Sequence, residues 1–454
     1  MTRFNRREFL TVSGAVLGGI AAGGTVTARE SATRYIVDLR PNARLGKVDV
    51  VHDLSQVGLA VVEGQERDVR RLGTYAPDIE MQLDLPAVEH IDTTAVAGYD
   101  DPLYGLQWDK QAMDMPDVHD MCKGEGARIA IIDSGIDASH DDLNVNVAVS
   151  RDFTGDGYGA GVPAGGYHGT HVAGIAAATT NNGMGIVGVA PEAELVDCRV
   201  FSTGPGASFA DILAAIVYAA GIGSDVANLS LGAYPVPREG LGPFYGQTLN
   251  RVMTWANSMG TLLVISAGND AADLQHDGRI CFENEDGSVE CFSAISLPNE
   301  GAQALSVAAT GPIGFGWGDT GMEQPAHSPA FYTNYGTNAI TLAAPGGDAD
   351  LSAIDSGVPW YLDLVLSTVS DPVFDGDGDL TGVEQGYGWA AGTSMAAPQV
   401  AGAVALLKGE DSSLNANQVE SILTRTAWMP EDYDKAYYGA GFLNPYGALK
   451  EIGL

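Results

Sequence analysis

Lysine is nearly absent from this chain. Only six of its 454 residues are lysine, and arginine supplies the rest of 23 basic residues, against 58 acidic ones. The resulting formal charge of -35 excludes a nucleic-acid partner, because phosphate backbones repel so negative a chain. A surface rich in carboxylates and poor in lysine stays hydrated in concentrated salt, so adaptation to high salt is the expectation. Cysteine is also scarce, and the four present fall in no zinc-binding spacing. Long apolar runs are missing after the first thirty residues. The run at residues 12–26 is diluted by glycine and shorter than the roughly 20 residues that span a bilayer, which argues against a membrane anchor. Internal repeats are absent as well. With 45% hydrophobic residues and 59 glycines against 21 prolines, the composition excludes whole-chain disorder and fibrous classes.

What is present begins with an address. Arg6-Arg7-Glu8-Phe9-Leu10 precedes the apolar run, and Val26-Thr27-Ala28 supplies small residues for a signal peptidase. This resembles a twin-arginine export signal over residues 1–28, and implies a soluble, extracellular protein with no stable membrane anchor after signal removal. Residues 34–39 and 58–62 read as strands and 66–72 as a charged helix, a small α+β module within residues 29–95. From residue 106 onward apolar strands alternate with Gly/Ala-rich helices: 128–132, 171–178, 194–201, 212–220, 226–229, 249–259 and 261–266. That alternation predicts an α/β fold, a parallel sheet covered by helices on both faces, over residues 96–454. The acidic, Gly-rich tracts 152–166, 270–298 and 371–388 read as surface loops. Cys281 and Cys291 flank the turn signal Asp286-Gly287 and are expected to bridge a hairpin, two free thiols being the other reading. Cys198, in a strand-like run, is expected to be a buried, inert thiol.

Three motifs fall at element ends, where α/β sheets place their chemistry. A buried strand delivers Asp133 in Ile129-Ala130-Ile131-Ile132-Asp133-Ser134-Gly135. His168 opens a helix in His168-Gly169-Thr170-His171, and Ser394 opens another in Gly392-Thr393-Ser394-Met395-Ala396-Ala397-Pro398. Acyl transfer needs these groups. A serine hydroxyl attacks only when a base takes its proton, and the base needs a carboxylate to hold its tautomer. A helix N-terminus at the serine adds positive potential where an oxyanion forms.

These motifs resemble those of the subtilisin-like serine proteases, the subtilases, in their usual order. The resemblance covers roughly residues 101–454 and implies Asp133, His168 and Ser394 as triad and Asn269, in Ser266-Ala267-Gly268-Asn269, as oxyanion donor. By the same analogy His171 is structural, while His119 and His327 are expected at the surface. Substrate backbone is expected along Ser230, Leu231 and Gly232 and along an opposing strand at Gly206. Phe209 would wall an apolar subsite, with Ser266, Ala267 and Gly268 facing the primary pocket; an ordinary core aromatic is the alternative for Phe209. No charge lines these segments, so apolar or broad preference for protein or peptide substrates is implied. Residues 234–246, 270–298 and 311–328 are longer than family loops and could narrow that preference. The module resembles the family's inhibitory propeptide, an intramolecular inhibitor removed by a cut expected between Glu89 and Asp101.

Structural calcium is implied at Asp101, Asp142 and Asn182, with carbonyls of Thr179, Met184 and Ile186. Asp375-Gly376-Asp377-Gly378-Asp379 with Glu384 offers a second, weaker calcium loop. In character the chain is nearest the salt-adapted halolysins, without their C-terminal extension, and a monomer is expected. A narrow processing protease and a peptide-binding pseudoenzyme are the competing functional readings.

Overall fold

The computed structural model describes residues 26–28, 33–82, 89–90 and 101–454, apart from 205, 241, 277–278, 284–288, 320 and 355. Most of the expected export signal, residues 1–25, lies outside the described residues, as do 83–88 and 91–100. Among the described residues no helix is long and apolar enough to cross a membrane.

The amino-terminal module is an antiparallel sheet of β1 (Arg34–Leu39), β2 (Asp49–Leu54), β3 (Leu59–Glu63) and β4 (Gly73–Pro77), in the order β2-β3-β1-β4. A helix, α1 (Glu66–Val69), crosses between β3 and β4, shorter than expected because the chain must turn at Arg70 into β4. Side chains alternate across the sheet. Tyr35 and Val37 pack with Val69 and Leu72 on one face. Ile36, Leu59 and Val61 join a second cluster that reaches into the following domain. A further strand, β5 (Ile79–Gln82), leaves the module altogether, paired with Val26–Ala28 on one side.

The larger domain is built on a seven-stranded sheet. Its strands are β6 (Arg128–Asp133), β7 (Arg151–Asp152), β8 (Glu194–Arg199), β10 (Val226–Leu229), β12 (Leu262–Ser266), β15 (Ala304–Thr310) and β16 (Leu342–Pro345). They lie in the order β16-β15-β12-β10-β6-β8-β7, every pairing parallel. A sheet buried on both faces needs apolar residues at every position, which is why β6 reads as an unbroken run. Ile129 and Ile131 face one core cluster, Ala130 and Ile132 the other. Four helices matter for the site: α2 (His168–Ala177), α3 (Phe209–Gly221), α4 (Gly242–Ser258) and α5 (Thr393–Glu410). The sequence reading of a doubly covered parallel sheet holds.

Two tracts expected to be surface loops are strands instead. Residues 270–298 contain β13 (Arg279–Glu283) and β14 (Val289–Leu297), an antiparallel hairpin that also pairs with β11 (Ala233–Pro237). Residues 371–388 belong to the long hairpin of β17 (Val365–Phe374) and β18 (Leu380–Ala390). The outer part of this hairpin is largely exposed, so no apolar alternation marked it, whereas its base, from Val365 to Ser370, is buried. Asp375 and Asp379 sit at its turn, where the Asp375 carboxylate accepts the backbone N–H of Asp377 and Asp379 at 2.9 Å. Glu384 lies along β18 opposite Asp371, so the residues of the expected second calcium loop fall on the turn and the neighbouring strand of this hairpin.

Candidate active site

Asp133 ends β6 and His168 begins α2, and the two are drawn together by Ser134. The hydroxyl of Ser134 accepts the Gly169 N–H at 2.8 Å and donates to the Gly166 carbonyl at 3.0 Å, fastening the strand end to the helix start. Gly135 is required here: it adopts φ +109°, and a Cβ would lie 2.2 Å from the Val162 carbonyl oxygen. His168 Nδ1 then stands 2.7 Å from Asp133 Oδ1, with both side chains fully buried. The Ser134 N–H also donates to that oxygen at 2.7 Å. Among the described residues His168 Nε2 is buried and has no hydrogen-bond partner, which leaves it as the basic atom not engaged by Asp133.

Ser394 is the second residue of α5. Its hydroxyl donates to the Ser230 carbonyl at 3.2 Å, so it must turn away from that acceptor to reach His168 Nε2. Ser230 returns a bond, from its own hydroxyl to the Ser394 carbonyl at 2.7 Å, and is itself held by Asn228 Nδ2 at 2.9 Å. These contacts tie the end of β10 to the nucleophile helix. Asn269 follows β12 by three residues. Its Oδ1 accepts the Thr393 N–H at 2.9 Å and the Thr393 hydroxyl at 2.8 Å, which fixes the amide plane and, among the described residues, leaves Nδ2 unbonded. A Cβ at Gly392 would stand 3.4 Å from that Nδ2, so glycine keeps the approach to the amide open. The arrangement can hold a tetrahedral oxyanion between an amide N–H and a helix N-terminus, with a base oriented by a carboxylate.

Of the expected subsite residues, Gly206 lies on β9 (Gly206–Ser208), which pairs antiparallel with β5 of the preceding segment. Ser230, Leu231, Ser266 and Ala267 are buried together around the Ser394 helix, with Gly232 and Gly268 less so. Phe209 is a buried core aromatic, 2% exposed and edge-on to Tyr245 at 5.6 Å, which favours the packing reading of this residue over a subsite wall.

His171 accords with a structural role. Its Nε2 lies 3.1 Å from the Gly388 carbonyl, and burial, chiefly, pushes its pKa down to about 3. His119 departs from expectation. It is half-buried, its Nε2 stands 3.0 Å from the Val189 carbonyl, and burial lowers its pKa to about 4. His327 is likewise partly covered, edge-on to Trp428 at 5.2 Å. Cys198 is a buried free thiol held protonated by its surroundings, and Cys122 is free as well.

Two positioning groups carried no sequence signal. Asn334, fully buried, accepts the N–H of Asp270 and Ala272 at 2.9 Å each and donates to the Ala267 carbonyl at 2.9 Å, pinning the loop that bears Asn269. Asp137 accepts from Ser370 at 2.8 Å and Gln385 at 2.7 Å, and its N–H donates to Thr170, tying the β17–β18 hairpin to α2. Lone Asn and Asp residues at these positions read as loop polarity until the fold brings their partners.

The expected calcium residues converge on Asp142. Its Oδ1 accepts from Asn182 Nδ2 at 2.7 Å and Thr179 Oγ1 at 3.0 Å, and its Oδ2 from the Ile186 N–H at 3.1 Å. Asp101 accepts the N–H groups of Asn181 and Asn182 at 2.9 and 3.3 Å. Met184 contributes its backbone, donating to Asn182 Oδ1 at 2.9 Å, while its side chain is exposed. Among the described residues no lysine or arginine pairs with Asp142, and burial raises its pKa. A buried carboxylate without a lysine or arginine partner costs free energy that a hard cation would offset, although the groups that ring it here, Asn182, Thr179, Tyr387 and the Ile186 N–H, all donate to it. Asn182 would have to turn its amide to offer oxygen. No group of three or more His, Cys, Asp or Glu side chains placed to hold a metal occurs among the described residues.

The geometry defines a triad-type acyl-transfer site on a parallel α/β sheet, and comparison with known proteins agrees. The subtilase family profile matches residues 124–448, and the chain belongs to that family of subtilisin-type serine endopeptidases. It is 32% identical over 367 residues to the extracellular protease of Xanthomonas campestris pv. campestris, covering 73% of this chain and 52% of that protein. The chain thus spans about half the length of that relative. It is 29% identical over 413 residues to the thermophilic serine proteinase of Bacillus sp. strain AK1, covering 87% of this chain and 82% of the relative. In fold it matches the epidermin leader peptide processing serine protease of Staphylococcus aureus, with a TM-score of 0.69 and 20% identity over 94% of this chain and 99% of that one.

Proposed function

We propose that the chain is an exported, salt-adapted serine endopeptidase that hydrolyses peptide bonds through an acyl-enzyme. The observation that carries this reading is the 2.7 Å contact of His168 Nδ1 with Asp133, with Nε2 left unbonded among the described residues. Ser394 Oγ attacks the scissile carbonyl as His168 Nε2 takes its proton. Asp133 holds the imidazole and stabilises the cation that forms. Asn269 Nδ2 binds the developing oxyanion, and His168 returns the proton to the leaving amine. Water then repeats the sequence on the ester. A serine-directed phosphonate tests the reading: one adduct on Ser394 in the folded, matured protein supports it, and no adduct overturns it.

Around this centre the reading has further parts. Residues 1–28 act as a twin-arginine signal, residues 29–95 as an intramolecular inhibitor, and the mature enzyme is an extracellular monomer. The relative named as an extracellular protease supports export. Cys281 and Cys291 are register partners in the β13–β14 hairpin, which suits a disulfide. Calcium bound by Asp101, Asp142, Asn182 and the backbone of Thr179, Met184 and Ile186 would neutralise a buried carboxylate and stiffen the loop before Val187. The charge of -35 predicts stability that rises with sodium chloride, since the Debye length falls from roughly 30 Å at 0.01 M to about 3 Å at 1 M. Melting and activity series from millimolar to molar salt test this, and flat curves would remove salt adaptation. A narrow processing role is the second reading, favoured by the β13–β14 hairpin that follows Asn269; cleavage of a mixed peptide library at one site only would establish it.

A further inference from the structure

A proline inside a helix leaves one carbonyl without its donor. In α5 that proline is Pro398, and the carbonyl four residues back belongs to the nucleophile, Ser394. Pro398 has no N–H to offer it, and the pyrrolidine ring crowds the carbonyl away from the helix axis. Both residues are buried, where an unpaired backbone carbonyl is costly.

The replacement comes from the neighbouring strand. Ser230, fully buried just beyond β10, donates its hydroxyl to the Ser394 carbonyl at 2.7 Å. The proton is directed there because the hydroxyl oxygen already accepts from Asn228 Nδ2 at 2.9 Å. Asn228 is itself fully buried on β10, and among the described residues its Oδ1 bonds to nothing, so its side chain serves Ser230. What the carbonyl bond fixes is the backbone that carries the chemistry. The Ser394 nitrogen and Asn269 Nδ2 lie 3.6 and 3.4 Å from one point, the place a Cβ on Gly392 would occupy. The two donors converge there only while the Ser394 backbone keeps its position. During attack the Ser394 hydroxyl must leave the Ser230 carbonyl, 3.2 Å away, whereas the bond from Ser230 to the Ser394 carbonyl can stay.

We propose that Ser230 is a positioning residue, whose hydroxyl supplies the hydrogen bond that Pro398 denies the nucleophile's carbonyl, with Asn228 aiming that hydroxyl. The role is separate from the backbone pairing with substrate expected at Ser230, and it rests on the protease reading above. No proton of Ser230 is transferred at any step. An ordinary residue at 398 would close this bond within the helix. Here it is made from outside, and it ties the end of β10 to the first turn of α5.

A double-mutant cycle on the matured enzyme tests this, with kcat, KM and melting read for each variant. Ser230→Ala should lower kcat about tenfold or more with KM little changed, because the carbonyl is left unpaired. Pro398→Ala restores an N–H four residues from that carbonyl and should stay within about threefold of the unaltered enzyme. In the double variant the new N–H takes over the carbonyl, so kcat should lie within about threefold of Pro398→Ala alone. A double variant as slow as the product of the two single effects overturns the proposal, since a loss through packing persists when Pro398→Ala is added. A Ser230→Ala enzyme with kcat unchanged, or altered in KM alone, overturns it as well. If Ser230→Ala by itself does not fold, a folded and active double variant supports the proposal and an unfolded one discards it. An unaltered enzyme that takes phosphonate on Ser394 but shows additive losses loses only this proposal. One that takes none loses the protease reading and the proposal with it.

Discussion

The module and the larger domain are held by different forces. In the larger domain every group of the triad scaffold is fixed from within. Ser134, Asn228, Thr393 and Asn334 hold Asp133, Ser230, Asn269 and their loops, and none of these partners comes from residues before 101. The module is fastened to that body by one shared apolar face, where Ile36, Leu59 and Val61 meet Leu213, Val217 and Leu249, and by the buried cluster of Arg34, His52, Asp78 and Asp211. A body that needs nothing from the module can keep its site when the module leaves. A module held by charged groups at a helix N-terminus can be released by a few changes there.

The sharpest break is at the nucleophile. Ser394→Ala should abolish peptide hydrolysis, by at least about 10⁴-fold in kcat, because nothing else on α5 can take its place. The same variant should accumulate the uncut precursor, read on a gel beside unaltered chain. Normal processing in that variant, without added protease, would refute self-cleavage and separate the two regions functionally. Asn269→Ala is next. It removes the amide donor while Thr393 still caps the loop, and should cost on the order of 10²–10³ in kcat with KM little changed. A change in KM alone would assign Asn269 to substrate positioning.

Arg34→Ala acts at the interface between the module and the body. It leaves Asp78 and Asp211 buried at one interface without their guanidinium, a kind of loss that typically costs about 3–5 kcal/mol. The precursor's melting temperature should drop by several degrees, while kcat/KM of the matured enzyme stays unchanged. An altered kcat/KM would mean that the module shapes the site. Calcium removal should have a smaller effect on the body. Chelation, or Asp142→Ala, should lower the melting temperature of the mature protein by a few degrees, since an ion bound only by the folded state stabilises it by mass action. If both leave it unmoved, Asp142 is held by the hydrogen bonds of Asn182, Thr179, Ile186 and Tyr387 without an ion.

How far the sequence revealed these two regions differs too. The body's strands are apolar on both faces, so β6, β8, β10 and β12 announced themselves, and Asp133, His168 and Ser394 followed from their places at element ends. Asn334 and Asp137 did not, because their hydrogen bonds join residues far apart in the chain. In the module the strands Arg34–Leu39 and Leu59–Glu63 and the helix at Glu66–Val69 were legible. Asp49–Leu54 mixes charged and apolar residues and Gly73–Pro77 has no apolar alternation, so the pairing of both depends on neighbours. The outer β17–β18 hairpin was hidden for a related reason: exposed strands held by backbone bonds carry no apolar period to read.

The smallest effect concerns a buried acid in the body. Asp197 lies on β8, fully buried, with the Gly161 N–H at 2.7 Å, and burial pushes its pKa up to about 7, Arg199 offsetting only part of this. A carboxyl raised above its ordinary value near 4 binds its proton more tightly folded than unfolded. Its contribution to stability is therefore full below about pH 4 and is lost as pH rises toward 7. Asp197→Asn keeps an oxygen acceptor for Gly161 and removes the titration. The variant should melt within a degree of the unaltered protein at pH 4.5 and a few degrees above it at pH 8. The mature protein, lacking the module, should show the same pH dependence, because β8 makes these contacts inside the body. A difference that is constant with pH, or present only in the precursor, would place the titrating group at the module interface instead, where Asp78 is also raised by burial.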